Sequence, residues 1–530
     1  MSSVAYLNGH IYTANPRQPW AEAFIVDESA GTFTAVGTTQ EIRGIARENG
    51  IITYDLRGVF VMPGIHDAHT HLLAAAMQKL NEAAISPESN DHTLAANLKN
   101  AGCLCSYAHV FGDWLVANLY APDRFPDGQP DRKYLDEVFP DRPVLIRETI
   151  CHSILLNTKG LERAGYDLDS PTDPHAGAFI RRKGMMEPTG ELVEAATEKA
   201  WVTIPLPSLY HAKKAILYGI HVSHRYGITS CQEAWANSVY LHALRELEAE
   251  NALNMMIFPH IVCAPAYKGD TDYNLTSTLD TAAYYLSKHV DPRFVKFWLD
   301  GAPIPPHFSQ ADLLENGKPD EEKLLVGKDK LLDLLEKYDA RGLTCKLHCA
   351  GEGSARYALD AIESICQRNP NGPRHELAHN NAVHEEDIPR FASLRVTAEM
   401  SPAIFLHKDL SQHNPHLFRW PFNEVLDAGG NVTIGSDWIL PPSPNLFPAL
   451  QAILPQLGAE KIIELITLGG AEAVGHGDRL GSIERGKKAS FIALDRDLTK
   501  TDDFEDVVVL KTWFEGKIVW NSLDDNLPFM

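Results

Sequence analysis

The stretch that decides the fold runs from Val59 to His71 and reads Val-Phe-Val-Met-Pro-Gly-Ile-His-Asp-Ala-His-Thr-His. Its apolar first half is typical of a strand that is buried on both faces, as in a parallel sheet covered by helices. His69 and His71 are two positions apart, so on extended backbone their imidazoles share one face, about 7 Å apart along the chain. The sequence therefore predicts a buried strand that ends in two convergent histidines.

Strands and amphipathic helices alternate through the middle of the chain. Beyond residues 59–67, apolar runs predict eight more strands, at residues 143–149, 228–233, 255–262, 294–300, 344–349, 375–379, 395–399 and 432–437. Helical patterns lie between them, for example at residues 208–226, 328–341 and 354–368. This alternation favours an α/β fold, a closed (β/α)8 TIM-type barrel. Nine strands exceed its eight places, so either 143–149 or 255–262 belongs to an insertion.

Both ends of the chain are rich in short strand patterns separated by turns. The Asn8-Gly9 dipeptide predicts a hairpin within residues 4–12. We expect both ends to form one small β-sandwich domain, residues 1–58 with 478–530, although two unrelated β caps are an alternative. Residues 59–477 would then form the barrel domain, with a long insertion at about 72–226 that lies over the barrel mouth.

Composition and charge restrict the possible partners. Among 530 residues, 48 are Lys or Arg and 70 are Asp or Glu, which gives a net charge of −22. Such an acidic surface argues against nucleic acid and against anionic membranes as partners. The sequence has no apolar run of transmembrane length and no signal-peptide pattern. Its eight cysteines are scattered, which is typical of reduced intracellular thiols, so we expect a cytoplasmic protein, and a homodimer.

Further polar residues lie on or at the ends of predicted strands. Lys296 interrupts an apolar strand, where a charged amine is costly unless it is neutralised or paired. His348, His379 and Asp437 end three other strands. With the first histidine pair, these side chains are the ligand types of a borderline divalent metal ion. Because barrel enzymes carry their chemistry at the C-terminal ends of the strands, we predict a metal site there.

Several motifs extend this pattern over nearly the whole chain. They lie at residues 63–71, 187–190, 295–301, 348–352, 374–391, 435–437 and 481–489. In them the chain resembles the amidohydrolase superfamily, specifically its family 3, the YtcJ-like and N-substituted formamide deformylase-like proteins. Ala378 departs from the family pattern, in which glutamate often precedes the ligand histidine, and so does the segment around Glu399. Because these departures surround the pocket, the substrate of the relatives cannot be carried over.

The resemblance implies a metal-dependent hydrolase that cleaves a C–N bond in an amide, formamide or cyclic amide, but not a peptide bond, by attack of a metal-activated water. It implies one or two divalent ions, zinc before others, held by six residues: His69, His71, Lys296, His348, His379 and Asp437. In the family pattern His69, His71 and Asp437 hold one ion. His348 and His379 hold the second, and a carbamylated (carboxylated) Lys296 bridges the two. Asp437 would act as the catalytic proton acceptor.

Substrate contacts are predicted less directly. His152 lies in a segment that resembles a family Gly-His-Ser element, and Trp298 and Trp438 lie near strand ends. Together they indicate a small-molecule substrate, an apolar or aromatic amide. Two alternatives stay open at this point. One is a metal-dependent decarboxylase, a lyase on the same scaffold, because a fold does not fix a chemistry; the other is a non-catalytic scaffold.

Overall fold

The computed structural model describes residues 3–101, 110–268, 275–402 and 417–524. Within these ranges no helix combines the length and the apolarity that crossing a membrane requires. The six cysteines found there are free thiols, as the sequence predicts.

The N-terminal segment alternates between two sheets. Its elements are β1 (Ser3–Leu7), β2 (His10–Tyr12), β3 (Trp20–Ala21), β4 (Ala23–Asp27), β5 (Thr32–Gly37), α1 (Thr39–Asn49), β6 (Ile52–Asp55) and β7 (Phe60–Pro63). One sheet has the order β5-β4-β1-β6, whereas β2, β3 and β7 belong to another. The predicted hairpin is therefore wrong. The turn at Asn8, whose φ is 57°, carries the chain from one sheet to the other, so β1 and β2 do not pair.

The stretch that opens the barrel forms two strands, where the sequence predicts a single strand over residues 59–67. After β7 the chain passes through Gly64 and continues as β8 (Ile65–Thr70). The Gly64 N–H donates to the Ser490 carbonyl at 3.0 Å. A β-carbon at this position would collide with the Thr229 side chain. Glycine is thus required where the chain passes from the sandwich into the barrel.

A third sheet is inserted after the first barrel helix, α2 (Leu72–Asn81). Its strands follow the order β13-β14-β12-β11-β10-β9. The inserted elements are β9 (Ala83–Ala84), α3 (Leu94–Asn100), β10 (Leu115–Tyr120), α4 (Lys133–Asp136), β11 (Val144–Glu148), β12 (Ser153–Leu156), α5 (Thr158–Ala164), β13 (Gly177–Arg181), β14 (Pro188–Glu194) and α6 (Glu198–Thr203). The strand predicted at 143–149 is thus part of the insertion.

The barrel consists of β8 and seven later strands, all parallel, in the order β21-β20-β19-β18-β17-β16-β15-β8. The strands are β15 (Ile228–Ala236), β16 (Met256–Ala264), β17 (Phe294–Trp298), β18 (Thr344–Cys349), β19 (Glu376–His379), β20 (Thr397–Met400) and β21 (Asn431–Ile434). The helices are α7 (Leu209–Arg225), α8 (Ser238–Ala249), α9 (Leu275–Asp280), α10 (Lys328–Asp339), α11 (Glu352–Arg368), α12 (Ile388–Ser393), α13 (Phe422–Asp427), α14 (Phe447–Leu457), α15 (Ala459–Glu464) and α16 (Gly470–Ala473). The predicted (β/α)8 barrel is confirmed, with 255–262 as its third strand.

The barrel closes where β8 meets the segment that follows β21. The Asp437 N–H donates to the His69 carbonyl at 2.7 Å. Ser436 donates to the Asp67 carboxylate through its N–H at 2.9 Å and its hydroxyl at 2.6 Å. A β-carbon on Gly435 would collide with His69. This seam fixes His69 and Asp437 relative to each other.

Strands from both ends of the chain share the second sheet of the sandwich. The C-terminal strands are β22 (Phe491–Leu494), β23 (Val509–Phe514) and β24 (Lys517–Asn521). They extend the sheet to the order β24-β23-β22-β7-β2-β3. Between the sheets, the Trp513 ring lies 4.5 Å from Phe491 and 6.0 Å from Tyr6. We propose that residues 1–58 and 478–530 form one domain; boundaries at these exact residues stay a prediction.

Replacing Trp513 with alanine tests this shared core. Trp513 is 1% exposed and contacts strands from both ends of the chain. We expect Trp513→Ala to lower the free energy of unfolding by about 3–5 kcal/mol, because it leaves a cavity between the two sheets. Leu523→Ala, at a position that is 86% exposed, is the matched control. Denaturant unfolding measures both, and equal stability of the two variants would contradict a shared core.

Candidate metal centre

All six predicted ligands lie at one end of the barrel. They are buried, and each is on or just beyond a barrel strand: His69 on β8, His71 after it, Lys296 on β17, His348 on β18, His379 on β19 and Asp437 after β21. The parallel strands place their C-terminal ends at the same edge, so residues separated by up to 368 positions become neighbours.

Three imidazoles converge on the Asp437 carboxylate. The His71 Nε2 atom lies 3.2 Å from Asp437 Oδ1, and His69 Nε2 lies 3.9 Å from the same oxygen. The His379 Nδ1 atom lies 3.9 Å from Asp437 Oδ2. Potential ligand atoms of His69, His71 and Asp437 all lie within 4.8 Å of one another, and so do those of His69, His379 and Glu399. The His348 ring is adjacent, with its centroid 4.4 Å from that of His379.

The four histidines carry the lone pairs that metal binding requires. Burial lowers the pKa of each imidazole below its ordinary value, so the neutral form dominates at neutral pH. His69 Nδ1 donates to Glu399 Oε2 at 2.7 Å, which leaves the Nε2 lone pair directed at the cluster. His348 Nδ1 donates to Asp300 Oδ1 at 2.9 Å. A carboxylate behind each imidazole is the usual support of a metal-ligating histidine.

Glu399 and Asp300 belong to this cluster but were not predicted as site residues from the sequence. Glu399 is fully buried on β20, and its carboxylate also accepts from the His379 N–H at 3.2 Å and the Ser401 hydroxyl at 2.6 Å. Asp300 is fully buried just after β17. A carboxylate in an apolar strand is the same anomaly that identified Lys296, so the signal for Glu399 was present in the sequence.

Lys296 lies beside this cluster with its amine close to the histidines. Its Nζ is 3.5 Å from His69 Nε2 and 4.9 Å from the Trp298 ring centroid. Burial, together with the nearby charge of Lys346, lowers the pKa of the Lys296 amine to about 7. Lys346, which the sequence analysis did not single out, is itself paired with Glu376 at 3.1 Å. Near neutral pH, Lys296 is therefore partly an uncharged amine.

The cluster opens into a cavity that is lined by both the barrel and the insertion. His152 and Trp298 line it, as do Trp235 and Lys268. Lys268 was not predicted as a site residue. Trp438 does not line it, because its side chain is only 1% exposed and packs in the barrel core. The structure thus brings two of the three predicted substrate contacts to the metal cluster.

Glu194 holds His152 in place at the end of β14. Its carboxylate accepts from His152 Nδ1 at 2.6 Å and from the Ser309 hydroxyl at 2.8 Å, and lies 3.6 Å from Lys268 Nζ. Burial opposes ionisation, but His152 and Lys268 outweigh it and lower the pKa of Glu194 to about 2. The backbone of Glu194 has a φ of 46°, which residues other than glycine rarely adopt. Such strain is typical of functional positions.

The donor set fits a divalent metal ion. Neutral imidazole nitrogens and a carboxylate are the ligands that zinc and similar ions prefer. The two ring nitrogens of His71 differ in their surroundings. Nε2 faces the Asp437 carboxylate, whereas Nδ1 is buried without a hydrogen-bond partner among the described residues. An arrangement of this kind gains stability from a bound cation, since the buried carboxylates then face a positive charge.

Known proteins resemble this chain over almost its full length. N-substituted formamide deformylase of Arthrobacter pascens is 24% identical over 555 aligned positions, which cover 97% of this chain and 98% of the relative. A metal-dependent hydrolase of Pyrococcus horikoshii superposes with a TM-score of 0.72 at 20% identity, covering 94% of this chain and 99% of the other.

An adenosine deaminase of Xanthomonas campestris with bound zinc superposes with a TM-score of 0.54 at 14% identity, covering 97% of this chain and 92% of the other. At this level of identity the likeness concerns the fold alone. The family model described as "Amidohydrolase family" matches residues 53–520. Because this match spans both the barrel and strands of the sandwich, the chain belongs to the amidohydrolase family.

Proposed function

We propose that the protein is a metal-dependent hydrolase that cleaves a C–N bond in an amide, formamide or cyclic amide other than a peptide bond. The observation that carries this proposal is the convergence of His69, His71 and His379 on Asp437 at the mouth of an amidohydrolase-family barrel. A relative named N-substituted formamide deformylase, similar along the entire chain, supports the choice of bond.

We infer that one or two divalent ions, zinc before others, occupy the cluster. His69 and His71 with Asp437 would hold one ion, and His348 with His379 the other. A bound divalent ion lowers the pKa of a water molecule toward neutrality and polarises a substrate carbonyl. Support comes from the neutral state of the histidines and from the carboxylates behind His69 and His348.

Asp437 is the residue that would accept the proton of the attacking water. Burial raises the pKa of its carboxyl, but the hydrogen bond with His71 and the electrostatic interaction with the neighbouring His379 ring outweigh burial and bring the pKa below its ordinary value. The carboxylate is therefore ionised at neutral pH and free to take a proton. The same oxygen can return this proton to the leaving nitrogen, as general acid–base catalysis requires.

His152 would contact the substrate from the opposite, inserted side of the cavity. The Glu194 carboxylate accepts a hydrogen bond from His152 Nδ1 at 2.6 Å and so fixes the orientation of the ring. Its ring centroid lies 5.6 Å from that of His348, so Nε2 is within reach of a substrate bound at the cluster. A hydrogen bond between this nitrogen and the substrate would hold the amide in place at the cluster.

Lys296 would contribute as a carbamate. Among the described residues, no carboxylate lies within 4.0 Å of the Lys296 Nζ atom, although this amine is completely buried. An uncharged amine attacks carbon dioxide, forms an N–C bond and loses one proton, and the product is an anion with two oxygen donors. This reaction turns a costly buried cation into a ligand for two cations.

A substrate screen tests the proposed function. Purified protein is offered N-formyl, N-acyl and cyclic amides together with the matching carboxylic acids, and its metal content is measured in parallel. We expect release of amine, or ring opening, in metal-containing protein. Release of carbon dioxide from the acids, with the amides left intact, would instead identify a decarboxylase. Metal-containing protein that is inert toward both series would favour the non-catalytic alternative.

Changing Lys296 tests the carbamate. We expect Lys296→Ala to lose the second ion more readily than the first and to recover part of its activity when short carboxylic acids are added. Lys296→Arg should not recover, because guanidinium stays cationic and does not ligate. Metal counting and native intact mass are the measurements. An unmodified amine in fully active, fully metallated protein would refute the bridge.

Changing Glu194 tests the orientation of His152. Glu194→Gln keeps the shape and an accepting oxygen but removes the negative charge that holds His152 Nδ1 at 2.6 Å. We expect kcat to fall by about 100-fold, because His152 loses its fixed orientation, while KM and metal content stay close to their original values. The exposed Glu198→Gln is the matched control. Unchanged kcat in Glu194→Gln would show that His152 acts without this partner.

A further inference from the structure

A second cavity adjoins the metal cavity on the side of the insertion. The two cavities adjoin, because four side chains line both of them: Cys151, His152, Trp235 and Lys268. The second cavity has a volume of about 150 Å³. An engineered apolar cavity of about this volume binds benzene. A group of that size could therefore occupy the second cavity while the bond it is attached to lies at the metal cluster.

The walls of this side cavity are mainly apolar and come from two parts of the chain. Helix α2 of the barrel and the inserted segment contribute the following side chains: Leu73, Ala74, Met77, Phe111, Trp201 and Ile204. Because one wall belongs to the barrel and the other to the insertion, the insertion determines the shape of the space that a substrate enters.

The charged residues of the side cavity neutralise each other. The Arg147 guanidinium makes a bidentate contact with Glu82, with Nη2–Oε1 at 2.8 Å and Nε–Oε2 at 3.1 Å. The face of the guanidinium stacks on Trp201, 4.5 Å from the ring centroid. Lys268 lies 3.6 Å from the Glu194 carboxylate. A charged ligand group would lose its hydration here without gaining an unpaired partner, which is costly.

We propose that the side cavity is the specificity pocket of the enzyme and binds an uncharged apolar group, of the size of a phenyl ring or a branched alkyl chain, attached to the scissile amide. This inference rests on the proposed function. The metal cluster then acts on the C–N bond, while Trp201, Phe111 and Met77 select the substituent. Burying such a group in place of a methyl group gives a preference of roughly tenfold or more.

Two substitutions with opposite effects test the pocket. Ala74→Phe fills the cavity from α2, and Ala74→Ser is its matched control because it changes the same position without filling the space. Trp201→Ala enlarges the cavity from the insertion. The substrates are amides that carry methyl, benzyl or naphthylmethyl groups, in one series on nitrogen and in another on the acyl carbon. The values of kcat/KM are compared within each series.

For the original protein we expect a preference for benzyl over methyl of at least about tenfold in one series. Ala74→Phe should abolish this preference, whereas Trp201→Ala should shift the preference toward naphthylmethyl. If Ala74→Phe and Ala74→Ser slow all members of both series equally, or if the benzyl preference survives in Ala74→Phe, the inference is overturned.

A binding measurement separates this inference from the proposed function. Ketones in which CH₂ replaces the amide nitrogen cannot be hydrolysed, and calorimetry gives their Kd for the full-length protein with its metal. The benzyl ketone should bind at least about tenfold more weakly to Ala74→Phe than to Ala74→Ser, and the methyl ketone equally to both. If no amide is cleaved, the proposed function is wrong. The ketone affinities then decide by themselves whether the side cavity binds the apolar group.

Discussion

Many polar side chains are buried at one end of the barrel, and the elements around them must be arranged so that each finds a partner. A carboxylate, imidazole or ammonium group that loses its water must gain a partner of comparable strength. His69 gains Glu399, His348 gains Asp300 and Lys346 gains Glu376. Lys296 is left with histidines and an aromatic ring. This imbalance, rather than any single short distance, is the reason that we propose bound cations and a modified lysine.

Three parts of the chain must meet before the site is complete. The seam of the barrel ties Asp437 to His69 and Ser436 to Asp67, so the closure of the sheet positions the residues that we propose as ligands of the first ion. The insertion then brings His152 and Glu194 to the opposite side of the cavity. In the proposed function the barrel therefore supplies the groups for bond cleavage, and the insertion supplies substrate contacts. This division allows the substrate to change while the chemistry is retained.

The sequence predicted what depends on local pattern and missed what depends on distant partners. The apolar strands and the polar residues at their ends identified the barrel, and the structure brings those residues together. The Asn8-Gly9 hairpin failed because β1 and β2 find partners in different sheets, which no local signal reveals. Trp438 lies near a strand end yet points into the core. Glu194 is 42 positions from His152, so only the inserted sheet reveals their pairing.

Binding of a metal ion by His69, His71 and Asp437 is tested most directly by anomalous X-ray scattering from crystals of the protein as purified. The data are recorded on both sides of the zinc absorption edge and of the edges of other transition metals. We expect an anomalous peak at about 2.0–2.2 Å from the ligand atoms of His69, His71 and Asp437, because these are the bonding distances of zinc to nitrogen and oxygen. A catalytically active crystal form without any such peak between these three side chains would contradict it.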